Sequence, residues 1–260
     1  MSRRVWLLIG ILGATTLAVF FLPPIPQSEA YHNFADQRPL LGIPNCLNVI
    51  SNASFLIVGL WGVFALASHK ARASRHLIDT HERWPYLIFF FGVALTAFGS
   101  SYYHLHPNDA RLVWDRLPMT IGFTGLLSAM ITERVSVRAG LRMLVPLILF
   151  GLVSVFYWQV TQQQGRGDLR SYALVQFGSM LAILLLIVLF PPRYTRTTDL
   201  VVSFLIYGLV KVFEAADRPI FAGGHIVSGH TLKHLAAALS AFWILRMLQL
   251  RHSVTSAKRT

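Results

Sequence analysis

The chain has 260 residues, of which 54% are hydrophobic and 13% are charged, and its mean hydropathy is +0.54. Soluble domains carry about 25% charged residues, so this composition excludes a disordered chain and argues against a soluble domain. The single cysteine, Cys46, excludes an internal disulfide and a thiolate zinc cluster. The net charge of +12 does not indicate a nucleic-acid partner, because Lys and Arg lie between apolar runs and form no stripe with aromatic residues.

Apolar stretches long enough to cross a bilayer recur along the whole chain, since a spanning helix needs about 20 residues. Only short connections separate them, which predicts one compact, all-α, polytopic transmembrane helix bundle without a soluble domain. In chain order the predicted spans are Val5–Leu22, Leu47–Ser68, Trp84–Tyr103, Leu112–Ile131, Leu141–Trp158, Ser171–Phe190, Leu200–Ala216 and Thr231–Leu250.

The first span is either a retained transmembrane helix or a cleavable signal segment. Arg3 and Arg4 precede the apolar run, and a stretch with prolines and small residues follows it. The run is longer than the signal core of about 7–15 residues, so a retained helix is favoured. The expected division is residues 1–30 as this segment, residues 31–250 as the membrane domain and residues 251–260 as a basic cytoplasmic tail.

Lys and Arg are distributed unequally between the two sides of the predicted spans. With the amino terminus inside the cell, most of the 23 Lys and Arg residues fall in the inner loops. Arg116, Lys211 and Lys233 lie within spans or at their edges. Because cytoplasmic loops of membrane proteins are enriched in Lys and Arg, this asymmetry predicts that both termini are cytoplasmic.

Polar and ionisable side chains of the spans collect at their outer ends. An ionisable residue inside a bilayer is costly and is therefore a functional candidate; random placement would scatter such residues over both faces. The residues at this face are Asp36 in the first outer loop, Ser100 and His104 in the third span, Asp115 in the fourth, Glu214 and Asp217 at the end of the seventh, and His230 and His234 at the start of the eighth.

The spacing of the histidines at this face predicts a metal site. His230 and His234 are four residues apart, so both rings project from one face of a helix. His104 lies at the same depth, and a turn over residues 106–109 folds the fourth span back to bring Asp115 beside it. Three histidines without cysteine favour Zn²⁺ with an open fourth position, which is the arrangement of catalytic zinc.

Neighbouring charged residues have alternative interpretations. Glu214 and Asp217 are expected either to support the site or to pair with Lys211 and Arg218 at the membrane edge. Lys233 is expected to point away from the face that His230 and His234 share and to extend towards the lipid headgroups.

Four short segments around these residues resemble the alkaline ceramidases, whose wider superfamily includes the progestin and adipoQ receptors. Gly99–His104 followed by Asp115–Met119 resembles their Ser-x-x-x-His and Asp-x-x-Pro-Met pattern. Gly229–His234 resembles their Gly-His-x-x-x-His, and Asn48–Asn52 resembles their Asn-x-x-Ser-Asn.

The resemblance implies a fold and a set of site residues. The fold is a seven-helix core, to which the first predicted span adds an extra N-terminal hydrophobic helix. The implied ligands of zinc are His104, His230 and His234, and the implied catalytic residues are Ser100 and Asp115.

The sequence supports calcium less well than zinc. Family members with an N-terminal calcium site have an acidic stretch and a glutamate where this chain has Asn45. Here the upstream residues 35–38 are only weakly acidic. Asp36 is therefore expected to make an outer-loop contact instead.

Together the residues and the resemblance predict a zinc-dependent intramembrane hydrolase that cleaves N-acyl sphingoid lipids to a fatty acid and a sphingoid base. Its expected location is a bacterial cytoplasmic membrane, with the site near the periplasmic face. The alternatives are a hydrolase of another membrane amide lipid and a receptor-like, zinc-binding seven-helix protein. A transporter is disfavoured, because the polar residues cluster at one face and form no path across the bundle.

Overall fold

The structure is a computed structural model that describes residues 2–68 and 77–254. Within these ranges the chain is all-α, and its β-type pairings are the isolated bridges Leu40–Ile43 and Tyr194–Ser253. The helices are α1 (Arg3–Phe21), α2 (Cys46–Ile50), α3 (Ala53–Ala67), α4 (Arg83–Leu105), α5 (Asp109–Arg134), α6 (Val137–Gln163), α7 (Arg170–Ala173), α8 (Ser179–Leu189), α9 (Thr197–Ala215), α10 (Asp217–Ala222) and α11 (Gly229–Leu250). Short 3-10 helices cover Glu29–His32 and Thr80–Glu82, and a π-helical turn, Leu174–Gly178, joins α7 to α8.

Each of the predicted spans falls on a long helical segment. Helices α5, α9 and α11 carry charged or histidine side chains within their length. The predicted all-α helix bundle is thus confirmed. Five segments of the described chain are apolar and long enough to cross a membrane: Arg3–Phe21, Cys46–Ala67, Thr80–Leu105, Val137–Gln163 and Arg170–Leu189.

Polar caps start the helices that follow tight turns. The side chains of Asn108, Ser136 and Ser228 each accept a hydrogen bond from the backbone N–H three residues further on, at 3.0–3.1 Å. Such caps satisfy a donor that the first helical turn leaves without an intrahelical partner. The short turns at Asn108 and Ser136 make α4, α5 and α6 successive antiparallel neighbours.

Helix α4 approaches α5 closely where the two predicted motifs meet. A Cβ atom at Gly99 would lie 2.0 Å from the backbone oxygen of Trp114, so only glycine fits at this crossing. In a regular helix the carbonyl of Trp114 would accept a hydrogen bond from residue 118, but Pro118 has no N–H. The glycine and the proline together let the backbones meet, which places Ser100 next to Asp115.

The end of the bundle remote from the histidines contains a buried charged cluster. Arg251, expected to begin a cytoplasmic tail, is instead 1% exposed. Its guanidinium pairs with Glu133 and lies 4.0 Å from the ring centroid of Tyr194. The hydroxyl of Tyr86 donates a hydrogen bond of 2.9 Å to Glu133. Residues 255–260 of the expected tail lie outside the described residues.

The first helix packs on the outside of the bundle. Leu8 is the buried residue of α1, and most of the remaining helix is exposed. The segment after α1 is held more firmly, because Arg170 donates a hydrogen bond of 2.6 Å to the carbonyl of Leu22. The backbone N–H of Gln27 donates to the side chain of Gln162 at 3.1 Å. These contacts fasten the segment to α6 and α7.

Candidate metal centre and cavity

Three buried imidazoles meet at one end of the bundle. His104 lies in the last turn of α4, and His230 and His234 lie in the first turns of α11. The ring centroids of His104 and His230 are 4.8 Å apart, and those of the other two pairs are 4.9 Å apart. One nitrogen from each ring lies within 4.8 Å of the others. The predicted meeting of three histidines from distant parts of the chain is confirmed.

The geometry of this triad fits a metal ion. Nε2 of His230 lies 3.3 Å from Nε2 of His104. Zinc–nitrogen bonds of about 2.0–2.1 Å at a tetrahedral angle would separate two ligand nitrogens by about 3.3 Å. A simple imidazole hydrogen bond also has this length, but it would not require the third ring, His234. The triad could therefore hold one divalent ion, and imidazole donors leave zinc, copper, iron and nickel as candidates.

Polar side chains between the first loop and α3 hold the triad in place. Nδ2 of Asn45 donates a hydrogen bond of 2.9 Å to the carbonyl of His104. Oδ1 of Asn48 accepts one of 2.9 Å from a hydroxyl in the first turn of α11. Ser51 contacts Nδ1 of His234. Analysis of the histidine spacing missed these contacts, and the Asn-x-x-Ser-Asn motif was the sequence signal for two of them.

The loop between α1 and α2 covers the triad. The ring centroid of Phe34 lies 4.7 Å from that of His104 and 4.3 Å from that of His230. Asp36 forms a salt bridge of 2.8 Å with Arg38, and this hydrogen-bonded guanidinium holds the pKa of Asp36 below its usual range. Asp36 therefore stabilises the covering loop and is not part of the histidine group.

Ser100 lies one turn before His104 on α4, and Asp115 lies in the second turn of α5. Both side chains are buried, and both line the same cavity as His234. The hydroxyl of Ser100 is close enough to the carboxylate of Asp115 to interact with it. The structure thus brings the two predicted catalytic residues together in the cavity that His234 also lines, while their roles in a reaction remain predictions.

Asp217 supports the site through backbone contacts. Its Oδ1 accepts a hydrogen bond of 2.8 Å from the N–H of His230, and its Oδ2 accepts one of 2.9 Å from the N–H of Ala35. A carboxylate at the start of α11 is also favoured by the helix dipole. Asp217 therefore joins the covering loop to the helix that carries two of the histidines, and the expected pairing with Arg218 is not among the salt bridges of the described residues.

Glu214 pairs with two lysines. Its carboxylate lies 2.7 Å from Nζ of Lys211 and 3.1 Å from Nζ of Lys233, and it accepts a hydrogen bond of 3.4 Å from the hydroxyl of Tyr31. The expected pair with Lys211 is confirmed. The expectation that Lys233 extends towards lipid headgroups is wrong, because its side chain is 14% exposed and lines the cavity next to His234.

A cavity of about 490 Å³ extends from the metal centre into the bundle. The charged lining residues lie near the helix ends on the histidine side, and we call this part the polar end; they are Asp115, Arg116, Lys211, Glu214 and Lys233. The remainder is walled mainly by Phe, Val, Leu, Ile, Met and Ala side chains. The lining residues of α11 run from Lys233 to Ile244. At 1.5 Å per residue this corresponds to a length of about 16 Å. The shape suits a long alkyl chain whose polar end reaches the histidines.

Arg116 lines the same polar end, one residue after Asp115. Its guanidinium lies 4.2 Å from the ring centroid of Trp158 and 4.8 Å from that of Tyr172. Nη2 donates a hydrogen bond to the side chain of Gln27. Nη1 is buried without a hydrogen-bond partner in the described part of the chain. The sequence analysis placed Arg116 in a span but assigned it no role.

The fold and this site define a class: an all-α bundle with helices long and apolar enough to cross a membrane, a candidate three-histidine metal centre and a largely apolar cavity. Comparison with known protein families and with curated proteins finds no match for this chain. The resemblance to the alkaline ceramidases therefore stands on its short motifs alone.

Proposed function

We propose that this protein is a metal-dependent hydrolase that cleaves the amide bond of an N-acyl lipid, with ceramide-like lipids as the reference substrates. The observation that carries the proposal is the position of Asp115. This buried carboxylate lines, together with Ser100 and His234, a cavity whose remaining lining is mostly apolar.

The three histidines would hold the metal as neutral donors. When bound there, a zinc ion would polarise an amide carbonyl and make water a better nucleophile near neutral pH. Three protein ligands leave a coordination position for small molecules, as in catalytic zinc sites. Ser51 would orient the ring of His234, since contacts of this kind tune metal sites, and Asn45 would hold the backbone that carries His104.

Asp115 would act as the proton carrier. The reaction forms a bond between the oxygen of water and the carbonyl carbon and breaks the bond from that carbon to nitrogen. Asp115 would accept the proton that water loses and pass it to the departing nitrogen, so that the products are a fatty acid and an amine. Ser100, whose hydroxyl is near the carboxylate, would help to keep it aimed at the reacting atoms.

The cavity would bind the acyl chain and exclude water from it. Phe89, Leu126 and Ile244 wall its deep part, on three different helices. Burial of alkyl groups stabilises a complex by about 25 cal/mol per Å² of apolar surface. An amide held at the polar end would thus be positioned by the chain attached to it.

The charge asymmetry of the loops supports an orientation with both termini in the cytoplasm and the metal centre near the outer face. A bacterial cytoplasmic membrane remains the expected location. In that orientation the site would act on lipids of the outer leaflet.

The proposal is tested by metal analysis of the purified protein together with mass spectrometry of N-acyl sphingosine incubated with it. We expect about one metal ion per chain and release of fatty acid; alanine variants of His104, His230 and His234 should lose both. His106→Ala is the matched control, because His106 is exposed two residues after His104. Metal binding without hydrolysis of any N-acyl lipid would favour the receptor-like alternative, and wild-type turnover by the three variants would contradict the site.

A further inference from the structure

The polar end of the cavity carries more positive than negative charge. The single carboxylate of Glu214 forms ion pairs with two ammonium groups, those of Lys211 and Lys233. One of these lysines is therefore left without a carboxylate of its own. Lys233 is the more enclosed of the two and is adjacent to His234, which places the unmatched charge close to the reacting groups.

Arg116 adds a second positive charge without an acidic partner. In the described part of the chain no carboxylate forms an ion pair with it, and its hydrogen-bonded neighbour, Gln27, is neutral. Arg116 is only 5% exposed. Buried charges in proteins are normally paired, because an unpaired one loses its hydration without compensation. The aromatic rings around Arg116 offset part of this cost.

Asp115 does not remove the imbalance. It contributes one negative charge against Arg116 and the unmatched lysine, and the proposed metal ion would add two positive charges. A substrate with a neutral headgroup would leave this end of the cavity cationic. A substrate with an anionic headgroup would complete the charge balance, and guanidinium groups match carboxylate and phosphate oxygens in geometry.

We infer that the preferred substrate is an N-acyl lipid whose headgroup carries an acid group close to the amide nitrogen. This inference rests on the proposed hydrolase site and specifies its substrate class. Arg116 and Lys233 are the specificity-determining residues: they bind the acidic oxygens while the acyl chain occupies the apolar part of the cavity. Carboxylate and phosphate headgroups share this chemistry.

The test compares two probes that differ in one group. N-oleoylglycine and N-oleoylethanolamine have the same chain and amide, but the first ends in a carboxylate and the second in a hydroxyl. We expect the full-length protein in detergent to hydrolyse N-oleoylglycine with a kcat/KM higher by about tenfold or more, since hydrogen bonds to charged groups are stronger than those to neutral ones. N-oleoylglycine should also raise the Tm more. N-oleoyl phosphoethanolamine distinguishes a phosphate from a carboxylate preference.

Two variants assign the preference to the named residues. Lys233→Met and Arg116→Gln should each reduce the ratio between the two probes, mainly by lowering kcat/KM for the acidic probe. Arg116→Lys keeps the charge and should retain part of the preference. This milder variant keeps the test decisive if Arg116→Gln does not fold. Arg111→Gln is the control, because Arg111 lies on α5 outside the cavity, stacked on Tyr102.

The outcomes separate this inference from the proposed function. Equal hydrolysis of both probes contradicts the inferred preference for an acidic headgroup and leaves the proposed hydrolase function standing. No hydrolysis, with a larger Tm increase for N-oleoylglycine, supports the headgroup site and contradicts the hydrolase. Equal Tm increases without hydrolysis overturn both. If oleate raises the Tm as much as N-oleoylglycine, the charges bind the carboxylate of the fatty acid and the headgroup inference is wrong.

Discussion

The hydroxyl of Ser51 lies 2.9 Å from Nδ1 of His234 and 3.1 Å from the carbonyl oxygen of Asn48. A hydroxyl has one proton, and a carbonyl can only accept, so Ser51 donates to Asn48. Ser51 must then accept the hydrogen bond from Nδ1–H of His234. In this tautomer the lone pair of His234 is on Nε2, which is the form that binds a metal.

Replacing Ser51 by alanine should weaken metal binding. The tautomer of His234 would no longer be selected, and loss of such a supporting contact lowers metal affinity by about 10–100-fold. A competition titration of the purified protein with a chelator of known affinity measures the change. Ser54→Ala is the control, because its hydroxyl bonds only the carbonyl of Ser51. Unchanged affinity in Ser51→Ala would show that the contact does not orient the ring.

Replacing Asp115 by asparagine should remove activity and leave the metal in place. The amide keeps the shape of the side chain but cannot accept a proton, and positioned acid–base groups contribute about 10²–10⁴-fold to rates. Hydrolysis rate and metal content are measured on the same preparation. Asp109→Asn, in the first turn of the same helix, removes a carboxylate paired with His32 and should change the rate little. A fully active Asp115→Asn protein would exclude Asp115 as the proton carrier.

Asp36 should contribute to stability only above acidic pH. Its pKa is lowered in the folded protein, so below the unfolded value of about 4 the unfolded state binds more protons, and stability rises with pH in that window. The Tm difference between wild type and Asp36→Asn should be constant near neutrality and disappear as the pH falls through the folded pKa. Arg38→Gln should flatten the same profile. A difference that persists at the lowest pH would rule out the ion pair as its cause.

The orientation in the membrane can be read by labelling single cysteines. The natural Cys46 is buried, so it should give little background with an impermeant maleimide. Gln163→Cys lies at the histidine end of α6, and Val135→Cys lies at the opposite end, before α6 begins. We expect Gln163→Cys to react in spheroplasts and Val135→Cys to react only after lysis. The reverse pattern would place the metal centre on the cytoplasmic side.

The histidine centre could be predicted because its signals are local. The spacing of His230 and His234 fixes their common face on any helix. The position of His104 at the end of one span, shortly before the next, fixes its depth. The alternation of the spans then brings these residues to one end, without any knowledge of how the helices pack.

The electrostatic partners could not be predicted in the same way. Lys233 lines the cavity because Glu214, on α9, faces it. Arg251 is buried because Glu133 and the aromatic rings of Tyr86 and Tyr194 surround it. Such pairings depend on which helices are neighbours and on their rotation, and a single sequence carries no direct signal for either.

The π-helical turn at Leu174–Gly178 has a consequence for how related proteins can diverge. Gln176 in this turn bonds the hydroxyl of Tyr207, and the helix beyond it supplies Met180 and Ile183 to the wall of the cavity. A π-turn holds one residue more than the α-turn that it replaces, so deletion of one residue there would restore a regular α-turn and change which side chains of this segment face the cavity. This helix carries no member of the histidine centre, so a single deletion can reshape the wall of the cavity without touching the candidate metal site.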